Sequence, residues 1–286
     1  MDWSVQEVIP AQLAHYLSLP KPDDHKYMRG VLGVISGSAN FPGAAVLNIE
    51  GAIRSGAGMV RYLGDSVLIK EIVANRPEAV FESGEVDAYL IGSGLSWSSS
   101  SKELKSKIDD AMVSEVPVIL DADAMQLAQK SRHLQILTPH SGELSKWLTD
   151  RNQSVSTSDI NQDPFHYLQL AASLIESNIL LKGNTTFIAS YATKQIIKIE
   201  KLPTVLATAG SGDVLAGIIA GLTVQCQPEK EAELVQIAAL AVLLHAQAAH
   251  KASNGGPIAA LDIAISLPKV IRSWLKGDFS QEPFSK

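Results

Sequence analysis

Short apolar runs rich in β-branched residues alternate with helix-length segments along most of this 286-residue chain, and that alternation restricts the fold more than any other feature. Runs at 31–36, 59–63, 88–92, 116–121, 136–138, 179–182, 186–189 and 196–199 have strand character. Helical patterns lie between most of them, at 44–55, 102–114, 124–130, 142–148 and 165–177. The last third is helical, at 213–224, 231–252 and 262–275. A parallel neighbour is reached only through a crossover, so strands separated by helices predict a mostly parallel sheet. The expected fold class is α/β, with helical layers on both sides of that sheet. The link 190–195 between two strand runs is short and polar, which predicts a hairpin and an antiparallel edge. No repeat, linker or composition break interrupts the pattern. One domain over 1–276 is expected, followed by a flexible polar tail at 277–286.

Charge and composition narrow the partners. A net charge of −6 disfavours a nucleic-acid backbone, which needs a basic face, but leaves room for a local pocket for one small anion. The single cysteine, Cys226, excludes an internal disulfide and fits a reducing compartment. The first residues, Met1-Asp2-Trp3-Ser4-Val5, lack the basic start and apolar run of a signal peptide. The longest apolar stretch, 237–249, is interrupted by His245 and Gln247 and falls short of the roughly 18 residues of a membrane span. A cytoplasmic protein without membrane contact is expected.

The chemistry is densest at Gly210-Ser211-Gly212-Asp213. Beyond it, Val214, Leu215, Ile218, Ile219 and Leu222 follow helical spacing, while Ala216, Gly217, Ala220 and Gly221 form a small-residue face suited to close packing. The glycines therefore precede a helix, where unpaired amides and the dipole favour an anion. Asp213 reads either as a helix cap or as a catalytic carboxylate. The Walker pattern is absent, and Leu215 stands where the dinucleotide fingerprint needs its third glycine.

Other segments accompany this turn in order. They are His25-Lys26, Gly37-Ser38, Pro42-Gly43-Ala44-Ala45, Arg54-Ser55-Gly56-Ala57-Gly58, Ile91-Gly92-Ser93-Gly94-Leu95 and Leu120-Asp121-Ala122-Asp123-Ala124. Thr138-Pro139-His140-Ser141-Gly142-Glu143 and Leu181-Lys182-Gly183-Asn184-Thr185-Thr186 complete the set. Together they resemble the ribokinase-like superfamily and, within it, the ADP/ATP-dependent NAD(P)H-hydrate dehydratases. The resemblance spans roughly residues 26–267. It departs from the commoner His-Lys-Gly opening, since Tyr27-Met28-Arg29 precedes Gly30.

The resemblance implies a ribokinase-like three-layer sandwich and repair of hydrated NADH or NADPH, with ADP or ATP as phosphoryl donor and Mg2+ as cofactor. It implies Asp213 as base, with Gly210, Ser211 and Gly212 forming the anion hole. Substrate contacts fall on Ala44, Ala45, Gly94, His140 and Asp213. Nucleotide contacts fall on Lys182, Gly183, Asn184, Thr185, Thr186 and Gly212, and Glu143 is implied to hold the metal ion through water. A homo-oligomer is expected, with NAD(P)H-hydrate epimerase as functional partner on a separate chain. A small-alcohol kinase of the same superfamily is the alternative, because the turn and its aspartate serve both chemistries.

Several residues have plainer readings. Ser141 suits a helix cap, and Glu143 a favourable charge in a first helical turn. Asp121 and Asp123 read either as acid–base groups or metal ligands or, more plainly, as one helix cap and one support for the site. His245 and His250 read as core or interface histidines on a long apolar helix. If ligands lie beyond the carboxyl ends of the strands, Gly37, Gly94, His140 and Asp213 should share one rim.

Overall fold

A computed structural model describes residues 3–95, 100–132 and 134–279. Its strands, in chain order, are β1 (Ser4–Glu7), β2 (Val31–Ile35), β3 (Met59–Tyr62), β4 (Ala88–Ile91), β5 (Val118–Leu120), β6 (Gln135–Leu137), β7 (Asn178–Leu181), β8 (Thr186–Ser190) and β9 (Gln195–Ile199). The helices are α1 (Pro10–Leu13), α2 (Pro42–Ser55), α3 (Ile69–Asn75), α4 (Lys102–Val113), α5 (Ser141–Thr149), α6 (Thr157–Gln162), α7 (Pro164–Ile175), α8 (Ser211–Cys226), α9 (Glu231–Ser253) and α10 (Ala260–Trp274).

The strands form one nine-stranded sheet in the order β1-β9-β8-β7-β6-β5-β4-β2-β3. Pairing is parallel except where β8 meets β7 and β9. The expected mostly parallel α/β fold is thus borne out. Its strands read as unbroken apolar runs because both faces are covered, β2 being buried along its whole length. Alternate side chains feed two cores. Leu180, Ile188 and Ile197 join helices α2, α8, α9 and α10 on one face. Ile179, Leu181, Ala189 and Ile196 join α4, α5 and α7 on the other.

The hairpin β8–β9 forms as expected but is not the edge of the sheet. Strand β1 adds in parallel to β9, with Val5 opposite Ile196. All four β1 residues are exposed, so nothing apolar in that segment announces it. The predicted helix at 124–130 is instead a six-residue 3-10 turn, Ala122–Leu127, entered through Ala122 at a φ of 51°. So short a segment gains too few backbone bonds to sustain an α-helix. The short helices α3 and α6 also escape the periodicity argument. At the C-terminus, Phe279 packs edge-on against Trp274 at 5.2 Å. Residues 280–286 lie outside the described part.

Helix α9 corrects the reading of its apolar stretch. At 23 residues it is long and apolar enough to cross a membrane, but 83% of its apolar window is buried inside the fold. It is the central helix of one core layer, packed against α8 and α10. Helices α2 and α8 pack tightly through small residues, as their sequences foretell. A Cβ placed on Gly217 would lie 2.2 Å from the carbonyl oxygen of Asn48, and one on Gly51 would lie 2.4 Å from that of Val214.

Candidate active site

The turn before α8 departs from the sequence reading in one respect. Gly210, not Asp213, precedes the helix, and it adopts a φ of 86° that favours glycine. Asp213 is the third helical residue and caps nothing. The Ser211 amide donates to the Thr208 carbonyl at 3.2 Å, and its hydroxyl meets His245 Nε2, also at 3.2 Å. Ser211 is therefore bound into the turn, whereas the amides of Gly210, Gly212 and Asp213 have no backbone acceptor among the described residues. Amides left unpaired at a helix start can hold an anion, and Ser211 ties the turn that carries them.

Burial pushes the Asp213 carboxyl up to about 6. The neighbouring Ser93 hydroxyl and the Lys182 ammonium pull it down, and Asp121 and Glu143 push it further up. The result is a carboxylate poised near neutrality, as a general base requires. Its backbone carbonyl accepts a 2.8 Å hydrogen bond from Asn48 Nδ2 of α2.

Lys182 leaves the end of β7 and points towards this turn. A Cβ on Gly212 would lie 3.4 Å from its Nζ. The ammonium is paired with buried Asp121 at 2.8 Å and lies 3.7 Å from Glu143. Burial alone would lower its pKa, but Asp121, Glu143 and Asp213 together hold it above the usual value. Asp121 also accepts from Thr138 Oγ1 at 2.7 Å. It thus supports the site, while Asp123 points outward to Lys146; neither caps a helix.

His140 occupies the cap position of α5 that the sequence reading gave to Ser141. Its Nδ1 accepts from the amides of Gly142 and Glu143 at 3.0 and 3.2 Å. Glu143 returns a bond to the His140 amide at 2.8 Å, closing a reciprocal capping box. With Nδ1 as acceptor, Nε2 carries the proton and lies 3.5 Å from Glu143 Oε1. The backbone after β6 is tied to β7, where the Lys182 amide donates to the Pro139 carbonyl at 2.7 Å.

Gly37, Gly94, His140 and Asp213 do share one rim. The Gly37 amide donates to the Ser93 carbonyl at 2.8 Å, and a Cβ on Gly94 would lie 3.1 Å from Gly37 Cα and 3.2 Å from Ala44 Cβ. Ala45 has no exposed surface, so Ala44 alone of that pair borders the rim. Buried oxygens without partners gather there: Ser36 Oγ, Ser38 Oγ and Asn48 Oδ1. Spare hydrogen-bonding capacity of this kind suits a polar ligand.

A cavity of about 570 Å3 opens beside the turn, bounded by His140, Lys182, Gly183, Asn184, Thr186 and Gly212. Thr185 faces a smaller neighbouring hollow of about 280 Å3. Leu202, Pro203, Leu206, Leu215, Val242 and His245 supply apolar walls that sequence reasoning did not assign. Asn184 explains the first of these, exchanging two 3.0 Å bonds with Leu202 that fold the loop over the cavity. The size and mixed lining suit a nucleotide-sized ligand. No cluster of three or more metal-binding side chains occurs among the described residues. Glu143 and Asp121 nevertheless fit a hydrated Mg2+ held mainly by phosphates, which needs few protein carboxylates.

Known proteins resemble this chain. A family model described as NAD(P)H-hydrate dehydratase matches residues 32–268. A bifunctional NAD(P)H-hydrate repair enzyme of Corynebacterium glutamicum is 32% identical over 226 residues, covering 73% of this chain and 38% of that protein. The chain thus spans about half the length, or less, of several bifunctional relatives. An ADP-dependent (S)-NAD(P)H-hydrate dehydratase of Neisseria meningitidis is 29% identical, covering 92% of this chain and 90% of its own. Among solved structures, an ADP/ATP-dependent NAD(P)H-hydrate dehydratase of Bacillus subtilis, co-crystallised with ATP/Mg2+, has a TM-score of 0.76 at 26% identity. It covers 93% of this chain and 97% of its own.

Proposed function

The chain belongs to the NAD(P)H-hydrate dehydratase family, and from that premise we propose that it restores hydrated NADH or NADPH at the expense of ADP. The observation that carries this reading is the poised carboxylate of Asp213, beside the free amides of Gly210 and Gly212. The damaged ring bears a hydroxyl next to its nitrogen, and hydroxide leaves poorly. Asp213 accepts the hydroxyl proton as the oxygen attacks the terminal phosphorus of ADP, and the bond to AMP breaks. The amides of the turn and Lys182 stabilise the negative charge on the transferring group. The ring nitrogen's lone pair then expels phosphate, and loss of the adjacent ring proton restores the dihydronicotinamide. The products are NAD(P)H, AMP and phosphate.

His140, through its Nε2–H, and Ala44 and Gly94 form the proposed seat of the ring, while Lys182, Gly183, Asn184 and Thr186 take the nucleotide. Mg2+, with Glu143 as a contact through water, would neutralise phosphate charge. We assign the fold's one sheet to a single domain acting in the cytoplasm, with an epimerase activity as functional partner.

The test is direct. The protein is incubated with the (S)-NADPH hydrate, Mg2+ and ADP, and recovery of the dihydronicotinamide absorbance is followed. Absence of recovery with ADP and with ATP overturns the reading. Phosphorylation of a small alcohol in its place supports the kinase alternative.

A further inference from the structure

Helix α9 is apolar from Ile237 to Ala249 apart from Gln247 and His245. Gln247 is spent on a core contact, accepting from Trp274 Nε1 at 2.5 Å. His245 is different. It is 4% exposed, yet its ring forms part of the cavity wall beside Leu215 and Val242. Its Nε2 meets the hydroxyl of Ser211, itself 5% exposed, on the turn that holds the free amides. An unsatisfied polar group in so apolar a helix would be costly, and this one spends its bond on the turn.

Two directions of hydrogen bonding hold Ser211. Its amide closes onto Thr208 within the same segment, and its hydroxyl reaches α9 across 34 positions of sequence. Gly210 and Gly212, on either side, have no side chain with which to fix their own orientation. The direction of their amides therefore depends on how Ser211 is held. Burial drives the His245 imidazole down to about 4, so near neutrality it is uncharged and acts as a hydrogen-bonding strut rather than a phosphate cation.

We propose that His245 is a positioning residue: through Ser211 it fixes the anion-binding turn, so that the amides of Gly210, Gly212 and Asp213 converge on the transferring phosphate. The inference rests on the function proposed above, but its test reads nucleotide binding separately from dehydration. Ser211→Ala, His245→Leu, His245→Gln and the Ser211→Ala/His245→Leu double variant are compared with the parent protein. ADP affinity is measured by calorimetry, kcat and KM for ADP by the absorbance assay, and folding by thermal melting.

Ser211→Ala removes one small hydroxyl and should melt within a few degrees of the parent. It is expected to weaken ADP binding and lower kcat, each about tenfold. His245→Leu should do the same, and the double variant should be no worse than the more affected single variant. His245→Gln, which retains a donor and an acceptor, should recover most of the loss. Unchanged ADP affinity and kcat in a folded Ser211→Ala protein would overturn the proposal, whether or not His245→Leu folds. So would fully multiplicative effects in the double variant. If the parent itself binds no ADP, the failure belongs to the proposed function and takes this inference with it.

Discussion

Asn48 donates its side-chain amide to the backbone carbonyl of Asp213 across 2.8 Å, joining the middle of α2 to the first turn of α8. The two residues are 165 positions apart in the chain. This bond holds the backbone of the candidate base in place. Asn48→Ala should lower kcat at least tenfold while leaving ADP affinity within about threefold. It should also cost about 1 kcal/mol of stability, the usual worth of a buried hydrogen bond. Turnover, calorimetry and denaturant unfolding check the three parts, and equal losses of binding and turnover would contradict this role.

Asp213→Asn removes the base and keeps its shape. Turnover should fall on the order of 10²–10⁴-fold, the usual contribution of a positioned general base. ADP should still bind, because the turn amides remain. In the parent protein, the acid limb of kcat/KM should fall with a midpoint near 6, where Asp213 gains its proton.

The same carboxylate gives a stability signature. Its folded pKa of about 6 lies above the ordinary 3.8, so folding favours the protonated form. That contribution is full below pH 3.8 and is lost as pH rises through about 6. Asp213→Asn lacks the loss. It should match the parent below pH 4 and exceed it above pH 7 by on the order of 1–3 kcal/mol, as unfolding at both pH values would reveal.

Lys182 and Asp121 form a buried pair, and breaking one side strands the other. Lys182→Met should weaken ADP binding and destabilise the fold by about 3 kcal/mol. Adding Asp121→Asn should restore stability but not ADP affinity. Melting curves and calorimetry on the single and double variants separate the structural from the binding role.

The α2–α8 contact should tolerate no added methyl. Gly217→Ala would drive its Cβ against the Asn48 carbonyl, 2.2 Å away, and the obstacle is helix backbone rather than a mobile side chain. A loss of about 1–3 kcal/mol is expected, with a drop in turnover because Asn48 is displaced along with α2. Thermal melting and the absorbance assay on the same preparation test both.

The sequence by itself determined the layered α/β fold, eight of its nine strands, the small-residue face of α8 and the place of the glycine-rich turn. Each of these is written locally, as a hydrophobic period or a run of turn residues. Only the tertiary structure decided what local patterns cannot encode. Strand β1 exists because β9 offers it a backbone edge, since its own four residues are all exposed. Asp121 became the partner of Lys182 because β5 and β7 end on the same rim with β6 between them. His245 read as one more core residue on an apolar helix until α9 was packed against α8 and its ring met Ser211. The candidate base followed the same division. Sequence located the carboxylate of Asp213, but its poise near 6 arises from burial and from neighbours brought there by other strands and helices.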